Sequence, residues 1–290
     1  MEGFAELLVR PKSIIECAII LKTCYVCNIL LTVSAGKTNL TGSATPNGGV
    51  ILSTSFLTKP DIELDLNNKK ASSPIGIPLE DFRNKVLELS NNTLYYPADP
   101  TSRNDAFVGG TISTNASGFV PGEKGATRYW VKEIEFLLPN GDMVEIKRGQ
   151  YISDKGFFTL EYDSDTIQLP IPTYNRPKIK NASGLYSNKN GIIDFIDLII
   201  GSEGILGLIA SCKLGLDEKE YRLTGVLILF NNLLQSLFKS QILTLGLVMV
   251  GIFAMFLILF KNIKLSLIGV VPNFIAAFFI LGIIGLLGIP

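Results

Sequence analysis

The chain contains no histidine, and only four of its 290 residues are cysteine. The absence of histidine removes the side chain that most often acts as a general base near neutral pH and most often binds metal ions. Cys24 and Cys27 have the spacing of a zinc-ligand pair, but no second pair completes a set of four ligands. We therefore expect no metal site. We expect all four cysteines to be small apolar core residues of a protein from a reducing compartment: Cys17, Cys24, Cys27 and Cys212.

An excess of charge of either sign is also lacking, since 26 basic residues balance 26 acidic ones. Proteins that bind nucleic acids usually carry an excess of positive charge, so no nucleic-acid partner is expected. The length of the chain leaves room for one or two domains.

The most informative segment is the loop of residues 34–43, which follows an apolar stretch and contains mainly small and hydroxyl side chains. Such a loop can turn several backbone N–H groups toward one anionic ligand, typically a diphosphate. Its sequence GKT at residues 36–38 looks like the end of a Walker A motif. The glycine that this motif requires five residues earlier is Leu31 here, and no glycine-rich helix start follows, so we reject that interpretation. An ordinary surface connection is the remaining alternative.

Later segments combine glycine, proline and hydroxyl residues in a characteristic order: LYYPADPTS at residues 94–102, FVGGTISTNASG at residues 107–118, GATRY at residues 125–129 and GSEGILGLI at residues 201–209. Together with the first loop, they resemble the FAD-binding domain of the vanillyl-alcohol oxidase type, also called PCMH-type. The resemblance is greatest to its D-lactate/glycolate dehydrogenase and alkyl-glycerone-phosphate synthase branches, and it covers residues 8–216.

This resemblance implies an α+β fold of two subdomains that binds FAD non-covalently, because the family's usual histidyl anchor is absent and no cysteine lies in the matching loops. It assigns the pyrophosphate to residues 35–42 and the flavin to residues 97–102 and 111–118. Backbone groups of residues 203–209 would close the site. The implied cofactor-binding residues are Ser34, Ala35, Gly36, Lys37, Thr38, Asn39, Leu40, Thr41, Gly42, Pro97, Asp99, Ser102, Gly109, Gly110, Thr114, Asn115, Gly118, Thr127, Glu203, Gly204, Leu206, Gly207 and Ile209.

The resemblance also implies a reaction, in which a 2-hydroxy acid passes a hydride to the flavin and the electrons then go to a quinone or another acceptor. In relatives a cap domain binds the substrate and supplies the base, and such a domain needs roughly two hundred further residues. We therefore expect a chain that binds FAD and turns over poorly or not at all. No catalytic residue is assigned. Arg128 is either a partner for the substrate carboxylate or an arginine at the surface or at a strand end.

The carboxyl-terminal part is different in character, because residues 241–260 and 265–289 carry no charge. Each run is long enough to cross a bilayer as a helix, which predicts a two-helix transmembrane hairpin and contact with membrane lipid. The basic link at residues 261–264 favours the cytoplasmic side, which leaves the side of the flavin domain open. Residues 260–290 resemble the transmembrane core of exporters of the resistance-nodulation-division type, so a non-catalytic membrane protein or an exporter fragment is the alternative function.

The predicted domains are residues 4–216 for FAD binding, residues 217–240 as a linker or the start of a cap domain, and residues 241–290 for the two spans. A junction near Leu237 would join two unlike proteins, and the alternatives are a gene fusion, a degraded gene and an assembly error. Local patterns predict strands at residues 4–9, 28–33 and 50–53, helices at residues 12–23, 78–89 and 192–200, a hairpin at residues 130–147 and an irregular connection at residues 150–190.

Overall fold

A computed structural model describes residues 2–162, 165–177, 179, 181–182, 184–188, 190–219 and 226–286 of the chain. It divides the chain into two compact units, Met1–Lys219 and Glu220–Pro290. The elements of the first unit are, in chain order, β1 (Leu7–Val9), α1 (Ile14–Val26), β2 (Leu31–Ser34), β3 (Val50–Ser53), β4 (Glu63–Asp65), β5 (Lys70–Pro74), α2 (Leu79–Leu89), β6 (Leu94–Tyr95), α3 (Val108–Ser113), α4 (Thr127–Trp130), β7 (Val131–Leu137), β8 (Met143–Lys147), β9 (Phe157–Tyr162), β10 (Asp165–Pro170), α5 (Phe195–Ile199), β11 (Leu208–Gly215) and β12 (Asp217–Glu218).

Three strands near the amino terminus form a parallel sheet in the order β1-β3-β2. A parallel arrangement needs a long crossover connection, and α1 is the crossover between β1 and β2. The helix begins at Ile14, two residues later than predicted, because the Ser13 hydroxyl accepts a hydrogen bond from the Glu16 amide at 3.3 Å and caps it. The carboxyl ends of β2 and β3 lie side by side, with Ser34 paired to Ser53.

A second, antiparallel sheet of five strands has the order β4-β5-β11-β7-β8. Its central strand is β11, which pairs with β5 on one side and β7 on the other. Helix α2 buries Leu79, Phe82 and Val86 in the core, and the Phe82 ring meets the Tyr96 ring edge-on with 5.5 Å between centroids. Two further sheets have two strands each, β9 with β10 and β6 with β12. The first unit is therefore a mixed α/β fold, as predicted for this part of the chain.

Two predictions for the region after β8 are wrong in part. The connection at residues 150–190 contains a hairpin, in which β9 pairs with β10 so that Phe158 lies opposite Leu169. The alternation of apolar and polar residues in both strands was the missed signal. The helix predicted at residues 192–200 is shorter and begins at Phe195, because the Asp194 carboxylate caps it by accepting from the Ile196 amide at 3.4 Å.

The cysteines agree with the prediction of core positions in three cases. Cys17, Cys24 and Cys212 are buried, whereas Cys27 is exposed at the carboxyl end of α1, where the helix has already ended. Burial raises the pKa of the Cys17 and Cys212 thiols to about 12. These two thiols therefore stay protonated and unreactive at neutral pH.

The second unit consists of α6 (Val226–Phe260) and α7 (Ile263–Leu286). Helix α6 is continuous through the predicted junction at Leu237 and the predicted boundary at residue 241. It includes residues 226–240, which were predicted to be a linker or the start of a cap domain. Among the described residues, Gln235–Phe260 is the one helix that is long and apolar enough to cross a membrane, and Ile263–Ala276 is a shorter apolar helix. A hairpin of two membrane spans therefore stays a prediction, and residues 220–225 and 287–290 of the predicted segments lie outside the described residues.

The two helices pack against each other within this unit. A Cβ atom at Gly269 would lie 3.2 Å from the Phe256 ring, so the small residue lets α7 approach that ring. The Asn262 side chain accepts from the Lys264 amide at 3.0 Å, which caps the start of α7.

Helix α2 offers a matched test of the core of the first unit. Leu79 is fully buried, whereas Leu89 at the other end of the helix is 39% exposed. We expect Leu79→Ala to lower the free energy of unfolding by about 2–5 kcal/mol, because it leaves a cavity. Leu89→Ala should lower it by less than about 1 kcal/mol. Urea unfolding followed by the fluorescence of Trp130, the only tryptophan, measures both. Equal losses would contradict this description of the core.

Candidate functional site

The described residues of the first unit surround a large cavity with a volume of about 750 Å³. Its wall combines the loop after β2, helix α3 with the residues that follow it, the turn around Ser102 and the loop before β11. A volume of this size lies in the range of ligand and cofactor pockets. Four of the five segments recognised in the sequence, far apart along the chain, therefore meet around one cleft, and residues 125–129 do not line it.

Many of the predicted cofactor-binding residues line this cavity: Ala35, Gly36, Lys37, Thr38, Asn39, Leu40, Thr41, Ser102, Gly109, Gly110, Thr114, Glu203, Gly204 and Ile209. The others are not among the lining residues: Ser34, Gly42, Pro97, Asp99, Asn115, Gly118, Thr127, Leu206 and Gly207. The binding of FAD by any of these residues stays a prediction.

The loop after β2 has the chemistry of an anion site. Among the described residues, no acceptor of a hydrogen bond is found for the backbone amides of residues 35–41. These residues line the cavity, and the left-handed φ of +57° at Lys37 is half of the backbone arrangement that gathers successive N–H groups around an anion. Gly36 lets the loop pass close to the Asp105 carbonyl, which a Cβ atom would overlap. The donor set therefore fits the diphosphate of a dinucleotide.

Glu203 connects the loop after β2 to the opposite wall. Its carboxylate accepts a hydrogen bond from the Thr41 hydroxyl at 2.8 Å, and its backbone amide donates to the Ser113 carbonyl at 2.8 Å. The residue has a φ of +54°, which is unusual for a residue other than glycine, asparagine or aspartate. Loop, helix α3 and the segment before β11 are thus tied together around the cleft.

The predicted residues that do not line the cavity shape its wall from behind. The Asn115 side chain accepts from the Arg128 amide at 3.0 Å, and the Thr127 hydroxyl donates to the Ala116 carbonyl at 2.7 Å. A Cβ atom at Gly118 would overlap the carbonyl of Asp99, so glycine is needed where these two segments cross. The Asp99 carboxylate itself accepts from the guanidinium groups of Arg83 and Arg103.

The remaining members of this group belong to turns or to the core. Gly42 accepts a hydrogen bond from the Thr45 amide, Gly207 lies against the Leu137 carbonyl, and the Leu206 side chain packs against the core. Ser34 is buried at the end of β2, and its hydroxyl has no hydrogen-bond partner among the described residues.

Arg128 is neither a surface residue nor free to bind a substrate carboxylate. Its side chain is 14% exposed and forms an ion pair with Asp197 at 3.3 Å, and it donates to the carbonyls of Asp197 and Ile200. Its guanidinium also lies over the Tyr186 ring, 4.4 Å from the centroid. Burial lowers the pKa of Arg128, and the Asp197 charge opposes this shift. The arginine therefore holds in place the segment that leads into the cavity loop at residue 203.

Sequence reasoning missed cavity residues outside the recognised segments, among them Thr54, Ile75 and Ala106. Thr54 follows β3, whose carboxyl end lies beside that of β2, and parallel strands bring such ends to one edge. That signal could have found Thr54. Ile75 and Ala106 are ordinary apolar residues, and nothing in their local sequence marks them.

Residues 5–147 match the family described as FAD binding domain. The chain is 29% identical over 211 residues to D-2-hydroxyglutarate dehydrogenase from Xanthomonas citri, an alignment that covers 72% of this chain and 36% of the relative. It is 29% identical over 229 residues to D-lactate dehydrogenase from Anaerostipes hadrus, covering 79% of this chain and 40% of the relative. With glycolate oxidase subunit GlcD from Bacillus subtilis it shares 24% identity over 233 residues, 80% and 41% of the two chains.

A solved structure has a similar fold. Alkyldihydroxyacetonephosphate synthase superimposes with a TM-score of 0.50 at 18% identity, covering 73% of this chain and 31% of that one. The chain thus spans 36–41% of the length of these curated relatives. The matches support FAD as the cofactor. They do not support the likeness of residues 260–290 to an exporter.

The ion pair of Arg128 with Asp197 can be tested by removing its acid. Asp197 is 14% exposed and also pairs with Arg148 at 3.1 Å. We expect Asp197→Ala to lower the free energy of unfolding by about 3–5 kcal/mol, because Arg128 then stays buried without a counter-charge. Asp61→Ala is the control, since Asp61 pairs with Lys59 while 84% exposed, and no measurable change is expected there. Urea unfolding measures both variants. An unchanged free energy of unfolding in Asp197→Ala would show that the ion pair does not stabilise the fold.

Proposed function

We propose that this chain, whose residues 5–147 match the family described as FAD binding domain, is the flavin-binding part of a dehydrogenase or oxidase that acts on 2-hydroxy acids. The observation that supports it most is the loop of residues 35–41, whose amides lack acceptors among the described residues and whose members line the large cavity. Backbone amides without partners need water or an anion, and a dinucleotide supplies the anion.

Different residues of the cavity wall would bind different parts of the cofactor. The amides of residues 35–41 would hold the diphosphate, and the small residues Gly109 and Gly110 leave room for a planar ring beside α3. Thr114 and Ser102 offer hydroxyl groups without adding charge. When bound, the flavin ring accepts a hydride from the substrate.

We propose that the cofactor is held without a covalent bond. The chain has no histidine, and none of its four cysteines is among the described cavity residues. Cys212 is buried in the central strand of the second sheet, and its raised pKa disfavours the thiolate that would be needed for attachment.

The substrate class rests on the relatives. Those described above are named for D-2-hydroxyglutarate, D-lactate and glycolate, which are all 2-hydroxy acids. We propose the same class for the protein to which this chain contributes, with a quinone or another acceptor taking the electrons. Arg128 is not assigned to the substrate, because its charge is already paired with Asp197.

FAD binding can be tested with two glycines of equal backbone geometry. Gly204 has a φ of +84° and lines the cavity, whereas Gly149 has a φ of +86° and lies elsewhere. A Cβ atom at Gly204 would have no neighbour nearer than 4.0 Å, and one at Gly149 would have none within 4 Å. Phenylalanine at either position therefore meets similar backbone strain, but only at Gly204 does the ring compete with a cavity ligand.

We expect Gly204→Phe to weaken FAD binding at least about tenfold, a loss of about 1.4 kcal/mol or more, while Gly149→Phe leaves it unchanged. Titration of the detergent-solubilised chain, followed by the quenching of FAD fluorescence, measures both variants. A native chain that binds no FAD, and stays without the yellow absorbance of a flavoprotein, would refute the proposal.

We further propose that α6 attaches the chain to a membrane and brings it into contact with lipid. The support is the length and composition of Gln235–Phe260. The second apolar helix would form a hairpin with it, and the side on which the flavin domain lies is left open. An exporter fragment, the alternative from the sequence, has no further observation in its favour.

Two arginines in the middle of α6 test this attachment. Each arginine near the centre of a membrane helix costs about 2.5–3.5 kcal/mol on insertion. We expect the chain with Leu247→Arg and Val250→Arg to leave the membrane fraction during an alkaline carbonate wash, while the native chain stays. Leu247→Ile with Val250→Ile is the apolar control at the same positions. Extraction of the native chain by the same wash would contradict membrane attachment.

A further inference from the structure

Lys37 has a backbone conformation that most side chains avoid. Its φ of +57° lies in the left-handed region, which costs free energy for residues with a Cβ atom unless the side chain bonds locally, as asparagine can. Lysine has no such local acceptor group. Backbone strain of this kind is often found at functional sites, where the surroundings impose it.

The side chain of Lys37 also stands out by its charge. Among the described residues that line the cavity, only Lys37 and Glu203 are charged. The Glu203 carboxylate already accepts a hydrogen bond from the Thr41 hydroxyl at 2.8 Å. Within the described part of the chain, Lys37 takes part in no ion pair.

Backbone amides without acceptors surround Lys37 in the sequence. It lies in the middle of the loop of residues 35–41, whose amides have no acceptor in the described part of the chain. Backbone amides supply hydrogen bonds to a diphosphate but carry only partial charge, so they do not neutralise it. An ammonium group in the same loop supplies the full charge that they lack.

We infer that Lys37 is an affinity-determining residue whose ammonium group pairs with the diphosphate of the dinucleotide, so that FAD binding by this chain depends on ionic strength. The inference rests on the proposed function and adds one charged contact to it. The free-energy cost of the left-handed backbone at Lys37 is then offset when the ammonium group pairs with the ligand, in a loop whose other residues are uncharged.

Replacement by asparagine removes the charge and keeps a residue that tolerates the left-handed backbone. We expect Lys37→Asn to weaken FAD binding at least about tenfold, as the loss of a charge-assisted hydrogen bond does. Raising the ionic strength from about 0.01 M to 1 M should weaken FAD binding by the native chain, and much less by Lys37→Asn, because salt screens the ammonium. Lys37→Arg keeps the charge and should keep both the affinity and the salt dependence.

A second lysine provides the control. Lys155 has a φ of +48° and does not line the cavity, so Lys155→Asn makes the same change of charge on a similar backbone. Full-length native chain and variants are titrated with FAD in detergent at both ionic strengths, and urea unfolding is measured in parallel.

The outcomes separate the two levels of the proposal. Failure of the native chain to bind FAD refutes the proposed function and this inference with it. Binding by the native chain, with Lys37→Asn within twofold of it or with an equal loss in Lys155→Asn, overturns only the role of Lys37. A loss in Lys37→Arg as large as in Lys37→Asn also overturns it, because the position would then matter for loop structure and not for charge.

Discussion

The arrangement of the first unit depends on a loop whose backbone polarity is not satisfied within the described part of the chain. The amides of residues 35–41 lack acceptors there, and such groups are tolerated only where water or a ligand can reach them. The loop leaves the carboxyl end of β2 beside that of β3, at the edge of a parallel sheet where ligands commonly bind. Residues 35–41 thereby form one wall of the cavity.

The rest of the unit holds the other walls at the right distance from this loop. Glu203 bonds to Thr41 on one side and to Ser113 on the other, so that three segments meet. Behind them, the ion pair of Arg128 with Asp197 fixes the chain just before Glu203. Many residues implied by the family resemblance have this supporting role, and their mutation would change binding through the shape of the wall.

The sequence predicted the strong local patterns and failed where long-range pairing decides. The strand at Val50–Ser53 has the predicted bounds, and the predicted hairpin ends with β8 at Lys147 as predicted, because turn residues precede or separate these strands. Strand β11 was not predicted, since its first two residues belong to the glycine-rich segment at residues 201–209 and its pairing with β5 and β7 is long-range. Asn115 and Gly118 were recognised, but their place behind the cavity wall follows from contacts with Arg128 and Asp99 that no local pattern contains.

The central claim is that the amides of residues 35–41 bind the dinucleotide's diphosphate, and amide hydrogen exchange read by mass spectrometry tests it most directly. Addition of FAD should slow exchange in the peptide that covers residues 35–41, since each bonded amide is then protected from solvent. The exposed turn at Gly149, outside the cavity, should exchange at an unchanged rate. FAD binding that leaves exchange at residues 35–41 as fast as in the free chain would contradict the claim.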